Sequence, residues 1–137
     1  MKTGLVVIGI AIFLVALWAL LRSGSQARQA PNIPDDLDGQ VLKQLATAGS
    51  DLSKPHQVEF FLYFPDEARA SEACRELTVE GYSAKVDRAA TGPQWLCFAT
   101  KPIVPAHATM VAIRARMNAL AQAGNGEYDG WGTPIAR

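Results

Sequence analysis

The stretch HQVEFFLYFPD, His56 to Asp66, limits the fold of this chain more than any other. Val58, Phe60, Leu62 and Phe64 alternate with Glu59, Phe61 and Tyr63, the period of two that gives a β-strand its two faces. Pro65 then removes a backbone donor and Asp66 supplies a capping oxygen, so the strand hands over to a helix at once. A strand with aromatic or aliphatic side chains on both faces is not stable alone in water. It needs sheet neighbours and a layer of helices.

The rest of the chain predicts those partners. A helix follows from Asp66 to about Glu80, with Ala70, Ala73, Cys74 and Leu77 as its small buried stripe and Gly81 as its stop. Tyr82, Ala84 and Val86 alternate with Ser83, Lys85 and Asp87 as a second strand. After a turn at Thr91-Gly92-Pro93, QWLCFAT is apolar on both faces and is expected to be central. Pro105 opens a last helix with the stripe Met110, Ile113, Met117 and Leu120, and Gly124 ends it. Before the first strand, Leu37, Val41, Leu42 and Leu45 predict a short helix capped by Asp36 or Asp38. The order is helix, then β-α-β-β-α, then a tail, EYDGWGT, able to add a short closing strand. The expected fold is α+β, a ferredoxin-like sandwich with two helices on one face of an antiparallel sheet. Phe61 and Tyr63 would project from the other face, where the extra helix or the tail is expected to cover them.

The N-terminus sets the domain organisation. Gly4 to Leu21 carries no charged side chain, and Lys2 and Arg22 bracket it. As a helix it would span roughly 27 Å, close to the hydrocarbon thickness of a bilayer. A cleaved export signal is the alternative, but the run is longer than the usual apolar core of a signal and Arg22 follows it directly. The expectation is a membrane anchor over residues 1–22, a linker over 23–34 (SGSQARQAPNIP) and a folded domain over 35–137. Counting lysines and arginines on the two flanks favours a single-pass inner-membrane protein with a cytoplasmic domain, by a small margin. Beyond Pro31 there are ten basic and thirteen acidic residues, a net of −3. That excludes a large basic surface for nucleic acid and tilts the domain toward basic partners.

Chemistry is sparse. Two histidines and two cysteines show no metal-ligand spacing, there is no phosphate-cradling glycine loop, and neither cysteine starts a helix where a thiolate would be stabilised. No catalytic residue, metal or cofactor is expected. Cys74 and Cys97 both fall at apolar-periodic positions, which favours two buried thiols over a disulfide. An RNA-recognition module would share the fold and the open-face aromatics, but the third strand lacks the basic, glycine-rich aromatic signature. The informative peptide is EYDGWGT, Glu127 to Thr133. Either its aromatics fold back to seal the sheet, or Glu127 and Asp129 stay exposed beside them and hold a basic partner segment. Glu127, Tyr128, Asp129 and Trp131, with Phe61 and Tyr63, are the candidate partner contacts.

The stretches QLATAGSDLSKPHQVEFFLYF and DEARASEACRELTVEGYSAKV, and above all GEYDGWGT, carry a resemblance. The chain resembles the ribonuclease E inhibitor family, regulator of ribonuclease E activity B (RraB), from about Val41 to Thr133. The resemblance implies the same ferredoxin-like fold and a bacterial protein without enzymatic activity of its own. Such a protein would bind ribonuclease E at its accessory scaffold region, lower its activity and so alter messenger RNA turnover. An anchor at Gly4–Leu21 would add membrane tethering and raise the effective concentration against a partner on the same surface. The alternative is an adaptor of this fold acting on a different membrane-associated protein.

Overall fold

The computed structural model describes residues 33–136. The predicted anchor and nearly all of the predicted linker lie outside them. Among the described residues no helix is long and apolar enough to cross a membrane.

Three helices and four strands run in the order α1 (Leu37–Thr47), β1 (His56–Phe64), α2 (Glu67–Val79), β2 (Ser83–Arg88), β3 (Trp95–Ile103), α3 (His107–Ala123) and β4 (Glu127–Gly132). The strands form one antiparallel sheet in the order β2-β3-β1-β4, so the fold is α+β. β3 lies between two neighbours, as its two apolar faces predict. The helix starts follow local chemistry. Asp36 accepts a hydrogen bond from the Gly39 N–H, and Asp66 accepts one from the Arg69 N–H, each satisfying a donor that the first turn leaves free.

One core holds the sheet to the helices. Val58, Phe60, Leu62 and Phe64 of β1 are buried against Ala70, Ala73 and Leu77 of α2 and Met110, Met117 and Leu120 of α3. Each large side chain in it stabilises by about 1.5–3 kcal/mol relative to exposure. α1 adds Leu42 and Leu45 to the same core and packs against α3. It does not cross to the opposite face of the sheet. The C-terminal segment stays near the α1–β1 connection: the Asp51 N–H donates to the Ala136 carbonyl and the Thr133 hydroxyl to the Gln57 carbonyl. The expectation that α1 or the tail covers Phe61 and Tyr63 is therefore corrected. Both α1 and the tail are spent on the helix side and at the sheet edge, and Phe61, Tyr63, Leu96 and Phe98 have no place in the core cluster.

The thiol expectation is corrected too. Cys74 on α2 and Cys97 on β3 form a disulfide, their Cα atoms 5.8 Å apart. Apolar periodicity put both residues in the core, as expected, but the stripe of α2 lies directly over β3. Two small buried side chains there meet each other.

Candidate functional site

Glu127–Gly132 of EYDGWGT forms β4, an edge strand paired with β1, and its spacing is explained by an irregularity. Phe60 pairs with Trp131 and Leu62 with Tyr128, so two steps along β1 match three along β4. The extra residue is a β-bulge at Asp129-Gly130, with Gly130 at φ 100°, a left-handed conformation that glycine adopts without strain. In a regular strand, residues three apart face opposite sides. The bulge resets the alternation, so Tyr128 and Trp131 both point to the helices, while Glu127 and Asp129 point to the open face. Gly126 lets the chain enter β4 closely: a Cβ there would lie 2.3 Å from the Tyr63 carbonyl oxygen.

On the helix side Trp131 is buried and its indole N–H donates to Asp38 Oδ1 at 3.0 Å. Asp38, only 1% exposed, also accepts two hydrogen bonds from Arg114 of α3, at 2.8 Å each. Its carboxylate thus ties α1, α3 and β4 together, and the pairing holds the Arg114 guanidinium above its ordinary pKa. Arg114 also lies 6.0 Å from the centroid of Tyr128, whose hydroxyl is buried without a partner among the described residues. Asp36, freed from this role, caps α1 and pairs with His107 at 2.8 Å. The Gly39 N–H, then His107, hold its carboxyl below the usual carboxylate range.

A second polar cluster has the look of a nucleophile pair. Ser50 Oγ is 2.6 Å from His56 Nε2, and His56 Nδ1 is 2.8 Å from the Lys54 carbonyl oxygen. A carbonyl only accepts, so Nδ1 donates to it, and Nε2 is the ring atom that faces the Ser50 hydroxyl. The serine oxygen in turn accepts the Ala136 N–H at 3.1 Å. With both side chains buried and the hydroxyl committed on two sides, this arrangement fastens the C-terminal segment. Among the described residues no group of three or more histidine, cysteine, aspartate or glutamate side chains could hold a metal ion.

The open face is different in kind. The register sets Phe98 between Phe61 and Lys85, Glu59 beside Thr100, and Tyr63 between Leu96 and Glu127. The Phe61 and Phe98 rings are 5.4 Å apart, centroid to centroid. Burial raises the pKa of the Glu59 carboxyl. Burial first, and then Glu127, raise that of Asp129. Burial and the nearby Asp129 raise Tyr63. The structure thus divides the six residues picked out by sequence: Glu127, Asp129, Phe61 and Tyr63 share one face, whereas Tyr128 and Trp131 lie behind it. Glu59 and Phe98 join the open-face set, although no motif marks them. The same alternation that placed Phe61 outward also places Glu59 outward, and that was the available signal.

The described residues form an α+β sandwich with one sealed face and, among those residues, one open face of aromatics bordered by carboxylates. Residues 35–133 match the family model for regulator of ribonuclease activity B, RraB. The chain belongs to that family, and the match spans almost the whole described domain. A search of curated proteins finds no match to this chain.

Proposed function

We propose that this chain is a membrane-tethered, non-enzymatic regulator that binds ribonuclease E at its scaffold region, or a related RNA-turnover component, and lowers its activity. The single observation that carries this reading is the family match over residues 35–133. The α+β frame supports it, because among the described residues one face of the four-stranded antiparallel sheet has no helix packed on it. In this reading Gly4–Leu21 anchors the protein in the inner membrane and the domain faces the cytoplasm. The linker keeps it within reach of a nuclease at the same surface. Affinity purification of the full chain from native membranes is the test, with the activity of any co-purified ribonuclease measured with and without added protein. Recovery of ribonuclease E or a companion, and slower RNA cleavage with the regulator present, supports it. Purification with membranes but without any RNA-turnover component overturns it.

The disulfide favours a second reading. Disulfides persist in oxidising compartments and are rare in the cytosol. Cys74–Cys97 is therefore better suited to a domain on the outer side of the membrane, serving as an adaptor for a different membrane-associated partner. A reporter fused after Arg137 separates the two readings. Activity only on the outer side removes a cytoplasmic nuclease from consideration.

A further inference from the structure

Charge pairing differs sharply across this domain. On the helix side Asp35 pairs with Lys43, Asp36 with His107, Asp38 with Arg114, Asp66 with Arg69, and Glu76 and Glu80 with Arg116. At the β1–β4 side of the open face, Glu59, Glu127 and Asp129 have no cation and no side-chain hydrogen bond among the described residues. Glu59 and Asp129 are nonetheless partly withdrawn from water. A half-buried carboxylate without a partner carries a desolvation cost that a cation would offset.

The aromatic rings show the same gap. Lys85 lies 5.7 Å from the Phe98 centroid, Arg88 4.7 Å from Trp95, Lys101 4.7 Å from Tyr82 and Arg114 6.0 Å from Tyr128. Among the described residues no cation lies over Phe61 or Tyr63, the two rings next to the unpaired acids. Carboxylates without cations and rings without cations thus occupy one strip of the sheet.

We propose that this strip, Glu59, Phe61, Tyr63, Glu127 and Asp129 with Phe98 alongside, binds an extended, arginine-bearing segment of a partner protein. The proposal rests on the regulator reading and names the chemistry of its partner. Side chains on one face of an extended chain repeat about every 6.8 Å, the interval separating Glu59, Phe61 and Tyr63 along β1. A guanidinium suits the strip better than an ammonium, because its plane stacks on a ring while its edge donates two parallel hydrogen bonds to a carboxylate. RNA is disfavoured, since the strip sets three carboxylates against its phosphates and the nearby Lys85 is itself paired with Asp87.

The test uses the full chain in lipid nanodiscs and a labelled peptide of about ten residues alternating arginine with serine, read by fluorescence anisotropy. Lysine and citrulline versions of the peptide, and a single-stranded RNA of similar length, serve as comparisons. The arginine peptide should bind most tightly and the citrulline peptide and RNA not at all. Glu59→Gln with Asp129→Asn should weaken arginine-peptide binding about tenfold, and Phe98→Ala should weaken it as well. Glu67→Gln removes one equivalent charge from α2 and should leave binding unchanged. Folding of each variant is checked by its thermal melt. Equal losses with E67Q and with the E59Q and D129N pair, or no arginine preference in folded protein, would overturn the proposal. The ribonuclease assay distinguishes the underlying reading. Inhibition that survives E59Q with D129N keeps the regulator and removes this strip. Peptide binding without inhibition keeps the strip and removes the nuclease.

Discussion

The two faces of the sheet are built from alternate residues of the same strands, yet they follow opposite rules. Behind the sheet, apolar side chains fill a closed core, and Asp38, the deeply buried acid, is satisfied by Arg114 and Trp131. In front, aromatics are half-covered by one another and three acids have no ion-pair partner among the described residues. Stability is concentrated on the first face. The second gives up local electrostatic comfort, as expected of a surface whose complement comes from another molecule. The β4 motif serves both faces, because its bulge sends the aromatics backward and the acids forward.

The sharpest way to break this contrast is through the seal. Trp131→Ala or Asp38→Ala should cost about 3–5 kcal/mol in denaturant unfolding. The first opens a cavity, and the second leaves the Arg114 cation and the indole N–H without their acceptor. Reducing the Cys74–Cys97 disulfide, which closes a loop with a sequence separation of 23, should cost about 3 kcal/mol, seen as a lower melting temperature with reductant. Gly130→Ala should cost about 1–2 kcal/mol, because it puts a Cβ at a left-handed position. Hydrogen exchange should then quicken across β4 before the other strands. Tyr128→Phe should be neutral or stabilising by up to about 1 kcal/mol, since it deletes a buried hydroxyl that lacks a partner among the described residues.

The smallest effects are expected on the open face, and their sign is informative. Glu59 and Asp129 have folded pKa values above their ordinary ones, so their ionised forms oppose folding. That cost is present above the raised pKa values and fades as pH falls through them. E59Q with D129N should therefore raise stability slightly at neutral pH, by no more than about 0.5 kcal/mol, and change nothing below the ordinary carboxylate range. Asp36 acts in the other direction. Its depressed pKa gives stability above its ordinary value that is lost as pH falls through the folded one. Denaturation curves across acidic pH check both signs.

Much of the fold was legible because it is periodic. The alternation in β1, the capping Asp66 and the stripe of α3 each declare themselves within a dozen residues, and the short turn between β2 and β3 makes them neighbours. The site was half legible. Phe61, Tyr63, Glu127 and Asp129 fell on one face as alternation allows. The division of the motif depended on one inserted residue in β4, which becomes visible only against its β1 partner. The Asp38 contacts span 76 residues to Arg114 and 93 to Trp131, and no local pattern carries such pairings. The disulfide escaped for a similar reason: two buried positions on different elements say nothing, by themselves, about facing each other.

In the proposed function the regulator meets its partner through the open face, with the sealed face as support. The decisive measurement compares inhibition of membrane-associated ribonuclease by the full chain carrying E59Q with D129N against the chain carrying Trp131→Phe, each shown to be folded. The expected result is loss of inhibition in the first with little change in stability, and inhibition kept in the second despite a lower unfolding free energy. Inhibition intact in the first and abolished in the folded second would contradict the account.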